Sequence, residues 1–193
     1  MANSSEYVTS IAKQRFICRW MNKRVFFPGN NAKNLVLSDS IAKYIHQYFE
    51  NPDKITVCCY RGINLKKLKE IMEYIPIKGS YEKVIIHAGT NDLFTRSDKG
   101  IIDDTMQLIT TIKRIYPNAR IFLSSILIRE GVKRDYLSQL NHSLKESAAK
   151  ENVSYIDTYN SIFMSSHLAT DRLHLNRRGS ACLSYKFEKV LKN

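Results

Sequence analysis

Five short apolar runs recur along the chain, each followed by a longer stretch with helical spacing, and this alternation restricts the fold more than any other feature. The strand candidates are Leu35–Leu37, Ile55–Cys59, Lys83–His87, Arg120–Ser124 and Val153–Ile156. Helical patterns lie between them at about 40–50, 65–75, 101–116 and 135–151, and a last one spans about 177–191. Strands alternating with helices build a parallel sheet covered on both faces, so the expected fold is a three-layer α/β/α sandwich around a five-stranded parallel sheet. Residues 1–33 precede this pattern. They offer one amphipathic helix, from about Tyr7 to Trp20, and a turn by composition at Phe26–Asn31. The expected organisation is an N-terminal extension (1–33) packed on one domain (34–193), since 193 residues bury one good core but not two.

Composition narrows the class. Hydrophobic residues at 44% and charged ones at 25% suit a globular protein, and no apolar run reaches the roughly 18 residues of a membrane span. The N-terminus lacks the basic start and apolar block of a secretory signal, which points to an intracellular, cytoplasmic setting. Cys18, Cys58, Cys59 and Cys182 show no metal-ligand spacing, and the five histidines form no zinc pattern, so neither a metal nor another cofactor is implied. The net charge of +12 admits nucleic acid or an anionic membrane surface as a partner. Lys66, Lys67 and Lys69, then Lys113 and Arg114, then Arg172, Arg177 and Arg178 spread that charge along the chain, which reads first as a solvated surface. Residues 1–31 add Lys13, Arg15, Arg19, Lys23 and Arg24 against the single acid Glu6.

In a parallel sheet, ligands bind at the carboxyl ends of the strands, beside the point where strand order reverses. Ser40 sits where the first strand should meet a helix, a position for a nucleophile, although for this stretch taken alone the plainer reading is that Ser38, Asp39 or Ser40 caps that helix. Gly62 follows the second strand and exposes its backbone N–H to close approach. Asn91, in Gly89-Thr90-Asn91-Asp92, follows the third, where its amide can reach back over the sheet edge; an ordinary turn is the plainer reading. Asp171 stands three residues before His174, so its carboxylate can accept from Nδ1–H and leave Nε2 free to take a serine's proton. Each residue alone has a structural explanation.

Taken together, Ser38-Asp39-Ser40, Gly62, Gly89-Thr90-Asn91-Asp92 and Asp171-x-x-His174 resemble the four ordered sequence blocks of the SGNH hydrolases, also called GDSL esterases and lipases, over about residues 34 to 190. The resemblance implies a flavodoxin-like α/β/α fold and hydrolysis of a small ester or lipid-like substrate. It implies Ser40 as nucleophile, His174 as general base and acid, and Asp171 as the group orienting His174. The Ser40 N–H, the Gly62 N–H and the Asn91 side chain would form the oxyanion hole. More narrowly, Ile85–Asp92 and Leu173–Asn176 are similar to the esterase domains of first-open-reading-frame proteins of some LINE-type retrotransposons and to platelet-activating-factor acetylhydrolases, which implies acetyl or short acyl esters. Alternatives are a non-catalytic module of the same fold binding nucleic acid or anionic lipid, and an O-acyltransferase. Two positions depart from the pattern: Ser38 stands where a glycine is usual, and Arg172 places a cation in the loop before His174. A serine at Ser38 would be strained if the site required positive φ.

Overall fold

The computed structural model describes residues 4–162 and 165–192. Six strands form one sheet: β1 (Arg24–Phe27), β2 (Asn34–Ser38), β3 (Ile55–Tyr60), β4 (Lys83–His87), β5 (Arg120–Ser124) and β6 (Ser154–Ile156). Their spatial order is β1-β3-β2-β4-β5-β6, with β1 antiparallel to β3 and all other pairs parallel. The helices are α1 (Ser4–Met21), α2 (Leu65–Tyr74), α3 (Asp98–Ile115), α4 (Arg134–Lys150), the short α5 (Tyr159–Ile162) and α6 (Arg177–Lys192). The chain thus folds as a three-layer α/β/α sandwich whose sheet has six strands rather than five.

Side-chain alternation along the strands assigns the two faces. Leu35, Leu37, Cys58, Tyr60, Val84 and Ile86 pack with buried residues of α2, α3 and α4 and with Trp20 of α1. Val36, Val57, Cys59, Ile85 and Phe122 pack instead with Leu183 and Phe187 of α6. The period of two in the strands, set against helices whose buried residues recur at i, i+3 and i+4, is the physical basis of the layering.

Two local expectations are corrected. The additional strand is Arg24–Phe27, whose last two residues, Phe26 and Phe27, belong to the segment read as a turn; Arg24 lies opposite Tyr60 and Phe27 opposite Val57. A β-branched and aromatic run is a good strand former, and the otherwise unpaired outer edge of β3 supplies its partner. The helix expected over 40–50 is two 3-10 turns, Ser40–Ala42 and Ile45–Tyr48. Pro52 limits this segment: it disfavours helical geometry at Asn51, whose φ/ψ is −126°/72°, and Phe49 is already extended. Ile41, Ile45 and Phe49 are nevertheless buried, so the apolar spacing marks a packed segment, not an α-helix.

The connections create the switch point. From β2 the chain moves to β3 on one side, then returns past β2 to β4 on the other. The carboxyl end of β2 therefore lies in the crevice between diverging connections, with Ser38 paired to Cys59 on one flank and to His87 on the other.

Candidate active site

Ser40 emerges two residues beyond β2 and is 7% exposed. The capping role falls to its neighbour: Asp39 Oδ1 accepts from the Ile41 N–H at 3.0 Å, which leaves the Ser40 hydroxyl uncommitted to the turn. Asp39 is fully buried, and burial pushes its pKa up to about 6 against the pull of nearby N–H and O–H groups of Ile41 and Thr90. Ser38 is not strained. It lies inside β2, outside the positive-φ residues, and its hydroxyl donates to the His87 carbonyl at 2.7 Å, bracing β2 against β4.

His174 is presented by a small hairpin. Leu168 bridges Leu175, the Ala169 N–H donates to the His174 carbonyl at 2.8 Å, and the Asn176 N–H donates to the His167 carbonyl at 2.9 Å. Asn176 secures the base of this hairpin by donating Nδ2 to the carbonyls of Ser166 and Leu168, while its Oδ1 receives the Gly179 N–H at the start of α6. Arg172 turns the chain at the tip with φ +50°, a left-handed value that favours glycine. Its cation does not face His174 unmatched: Nη1 lies 3.1 Å from Glu130 Oε1, and the Glu130 N–H donates to the Arg172 carbonyl. The segment after β5 is thereby tied to the hairpin.

The two ends of the chain meet through one imidazole. His174 Nδ1 lies 2.7 Å from Asp171 Oδ2, and His174 Nε2 lies 3.0 Å from Ser40 Oγ, 134 residues away in sequence. An ionised carboxylate only accepts, so the proton belongs on Nδ1 and the Nε2 lone pair faces the serine hydroxyl. Asp171 Oδ1 also accepts the N–H groups of Leu173 and His174, at 3.0 and 2.9 Å. The hydrogen bond from the imidazole, reinforced by these two amides, holds the Asp171 carboxyl well below the usual carboxylate range.

Two further groups lie beyond the carboxyl ends of β3 and β4, the strands on either side of β2. Gly62, just beyond β3, has φ +71° and open space where a side chain would project. Asn91, beyond β4, donates Nδ2 to the Ile63 carbonyl at 2.9 Å, which fixes its amide beside the Gly62 turn and leaves its second N–H available. Gly89 lets β4 exit here with φ +121°; a Cβ would sit 2.7 Å from Ile126 Cδ1. Two supports hold this rim. Asp92 Oδ2 takes the Leu65 N–H at 3.1 Å and so joins the Asn91 loop to the start of α2. Arg129 donates to the Thr90 carbonyl at 3.2 Å while lying 4.7 Å from the Phe94 ring centroid. The bracing role of Asp92 is legible from its place in the Gly89-Thr90-Asn91-Asp92 motif; sequence reasoning missed Arg129, since nothing local to it announces its partner.

The family model of the GDSL-like lipase/acylhydrolase family matches residues 41–182, well over half of the chain. The chain belongs to this family. Among solved structures, a protein from Streptococcus pneumonia provisionally described as a platelet activating factor is 19% identical, with TM-score 0.76 over 98% of this chain and 100% of that one. A GDSL-like lipase from Bacteroides thetaiotaomicron is 13% identical, with TM-score 0.72 over 93% of this chain and 97% of that one. A carbohydrate esterase family 3 protein from Talaromyces cellulolyticus is 14% identical, with TM-score 0.70 over 83% and 97%. No curated protein matches by sequence. The GDSL match begins one residue after Ser40 and includes Gly62, Asn91, Asp171 and His174. Membership assigns this chain to the ester hydrolases; the place of Ser40 rests on the hydrogen-bonded geometry. Among the described residues, no helix is long and apolar enough to cross a membrane.

Proposed function

We propose that the protein is a serine esterase that cleaves short acyl esters through an acyl-enzyme intermediate. The observation that carries this reading is the continuous Asp171–His174–Ser40 relay of 2.7 and 3.0 Å. In the first step Ser40 Oγ attacks the ester carbonyl carbon while its proton passes to His174 Nε2. The resulting imidazolium is stabilised by Asp171, and it protonates the departing alcohol as the tetrahedral intermediate collapses. Water then attacks the acyl-serine, again giving its proton to Nε2, and the acid is released with Ser40 restored.

The oxyanion of each tetrahedral intermediate is assigned to the N–H groups of Ser40 and Gly62 and to the free N–H of Asn91. Each such donor is worth about 3 kcal/mol in transition-state stabilisation. A small acyl group is the choice that the similarity of Ile85–Asp92 and Leu173–Asn176 to platelet-activating-factor acetylhydrolases favours. The uncapped state of the Ser40 hydroxyl and its bond to Nε2 favour catalysis over an inactive module of the same fold.

Incubation with p-nitrophenyl acetate and a fluorophosphonate probe tests this reading. Turnover is expected, with a single probe adduct on Ser40 located by peptide mass spectrometry. Ser40→Ala should abolish labelling and lower kcat by at least about 10⁴-fold. Folded wild-type protein that neither turns over the ester nor takes the label would overturn the proposal.

A further inference from the structure

Two groups of basic side chains among the described residues differ in what neutralises them. Lys33, Arg96, Lys113, Arg114, Arg172 and Lys192 each lie within ion-pair distance of a carboxylate, respectively Glu82, Asp104, Glu151, Glu73, Glu130 and Glu50. A second group gathers where α1, β1 and α2 meet, and its cations rest on aromatic rings instead. Lys23, Arg19 and Lys67 come within 5.1, 5.9 and 5.9 Å of the Trp20 ring centroid. Lys13 stands 4.5 Å over Tyr74 and Arg24 4.7 Å over Phe26. The Arg61 N–H donates to the Lys23 carbonyl at 3.1 Å, which joins the rim of β3 to the same surface. None of these six cations makes a salt bridge among the described residues.

Cations brought to one place without an ion-paired carboxylate repel one another, and the ring faces that hold them do not neutralise their charge. The field of this corner is therefore positive and available to an external polyanion. We infer that the α1–β1–α2 corner, centred on Arg19, Lys23 and Lys67 around Trp20, binds the phosphate backbone of a nucleic-acid strand. Two observations favour nucleic acid over an anionic membrane. Trp20 is 3% exposed and serves as a platform beneath the cations, not as an apolar group that could enter a bilayer. Tyr74 is 41% exposed beside Lys13, which suits stacking of an unpaired base next to a phosphate contact. Because Arg61 immediately precedes Gly62, a strand on this surface would run toward the rim that carries Ser40. The inference stands whether or not the esterase proposal holds.

The full chain supplies its own reporter, since Trp20 is the only tryptophan. Titration with a fluorescein-labelled single-stranded RNA of about 20 nucleotides, followed by anisotropy and by Trp20 emission, should give coincident binding curves. Affinity should fall on the order of 10²-fold between about 50 and 200 mM salt if about five phosphates are engaged. Arg19→Glu/Lys23→Glu/Lys67→Glu should weaken binding at least tenfold more than Lys145→Glu/Lys150→Glu/Lys189→Glu, which removes the same charge from α4 and α6. Thermal unfolding of both variants checks that they fold, and the wild-type Trp20 response needs neither. Equal loss from both sets, RNA binding without a Trp20 change, or binding of phosphatidylserine vesicles but not RNA would each overturn the inference.

Discussion

His87 and His174 both lie near the carboxyl edge of the sheet, yet their surroundings give them opposite chemistry. His174 is bonded at both ring nitrogens, to a carboxylate and to a serine hydroxyl, and its side chain is 24% exposed. His87 ends β4 at 2% exposure; its Nδ1 lies 2.9 Å from Ser124 Oγ and its Nε2 makes no hydrogen bond among the described residues. Ser124 continues to Thr158 at 3.0 Å, and Thr158 to Ser125 at 2.8 Å, so His87 heads a buried hydroxyl chain that stitches β4 and β5 to the turn after β6. Phe187 packs edge-on against its ring at 5.6 Å. Burial lowers the His87 pKa to about 4, because no carboxylate is present to compensate a buried imidazolium. A histidine becomes a plausible proton carrier through an orienting acceptor on one side and a reacting group on the other. Position at a strand end is not sufficient.

The largest test of this contrast is kinetic. His174→Ala should lower kcat/KM toward p-nitrophenyl acetate by about 10⁴–10⁶-fold, whereas His87→Leu, which keeps the ring site apolar, should change it by less than about tenfold. Equal losses would erase the distinction drawn between the two imidazoles.

A second test reads stability against pH. The folded pKa of His87, about 4, lies below the ordinary value near 6.5, so the unfolded chain takes up the proton first. The stability associated with neutral His87 is therefore fully present above about pH 6.5 and is lost as pH falls toward 4, by on the order of 2–3 kcal/mol. Asp39 and Asp92 act in the opposite sense: burial raises both to about 6, so acidification from there toward 4 favours the fold. The difference in unfolding free energy between wild type and His87→Leu isolates the histidine. It should shift against the wild type by that amount between pH 7 and 4, and a pH-independent difference would show that His87 is not held neutral by the fold.

The smallest expected effect concerns the hairpin under His174. Arg172→Gly removes a left-handed non-glycine residue at a cost-saving of about 1 kcal/mol, offset by loss of an exposed ion pair worth at most a similar amount. Denaturant unfolding should show a change within about 1 kcal/mol, and kcat/KM should stay within about threefold. A large rate loss would mean that the Glu130 tie holds His174 in place more tightly than the Asp171 and Asn176 contacts do.

Much of the layering was legible because period-two burial in strands and helical spacing between them depend on local sequence. The order of Ser40, Gly62, Asn91 and His174 after strands was legible for the same reason. The edge strand Arg24–Phe27 was harder to read, since four residues become a strand only when β3 offers an open edge. The segment after Ser40 misled because buried residues at i, i+4 and i+8 suit two 3-10 turns as well as one helix. The basic charge also reads differently in space: Arg19, Lys23 and Lys67 are scattered in sequence but share one indole.

By itself, the amino-acid order determined which residues alternate between core and solvent and which chemically capable side chains follow strands, because both depend on near-neighbour periodicity. Only the tertiary structure decided that the Ser40 hydroxyl meets His174 Nε2, where Arg172 sends its charge, and that His87 is sealed in the core beside Ser124. These three outcomes depend on contacts between residues 37 to 134 positions apart, whose geometry is set when the layers pack.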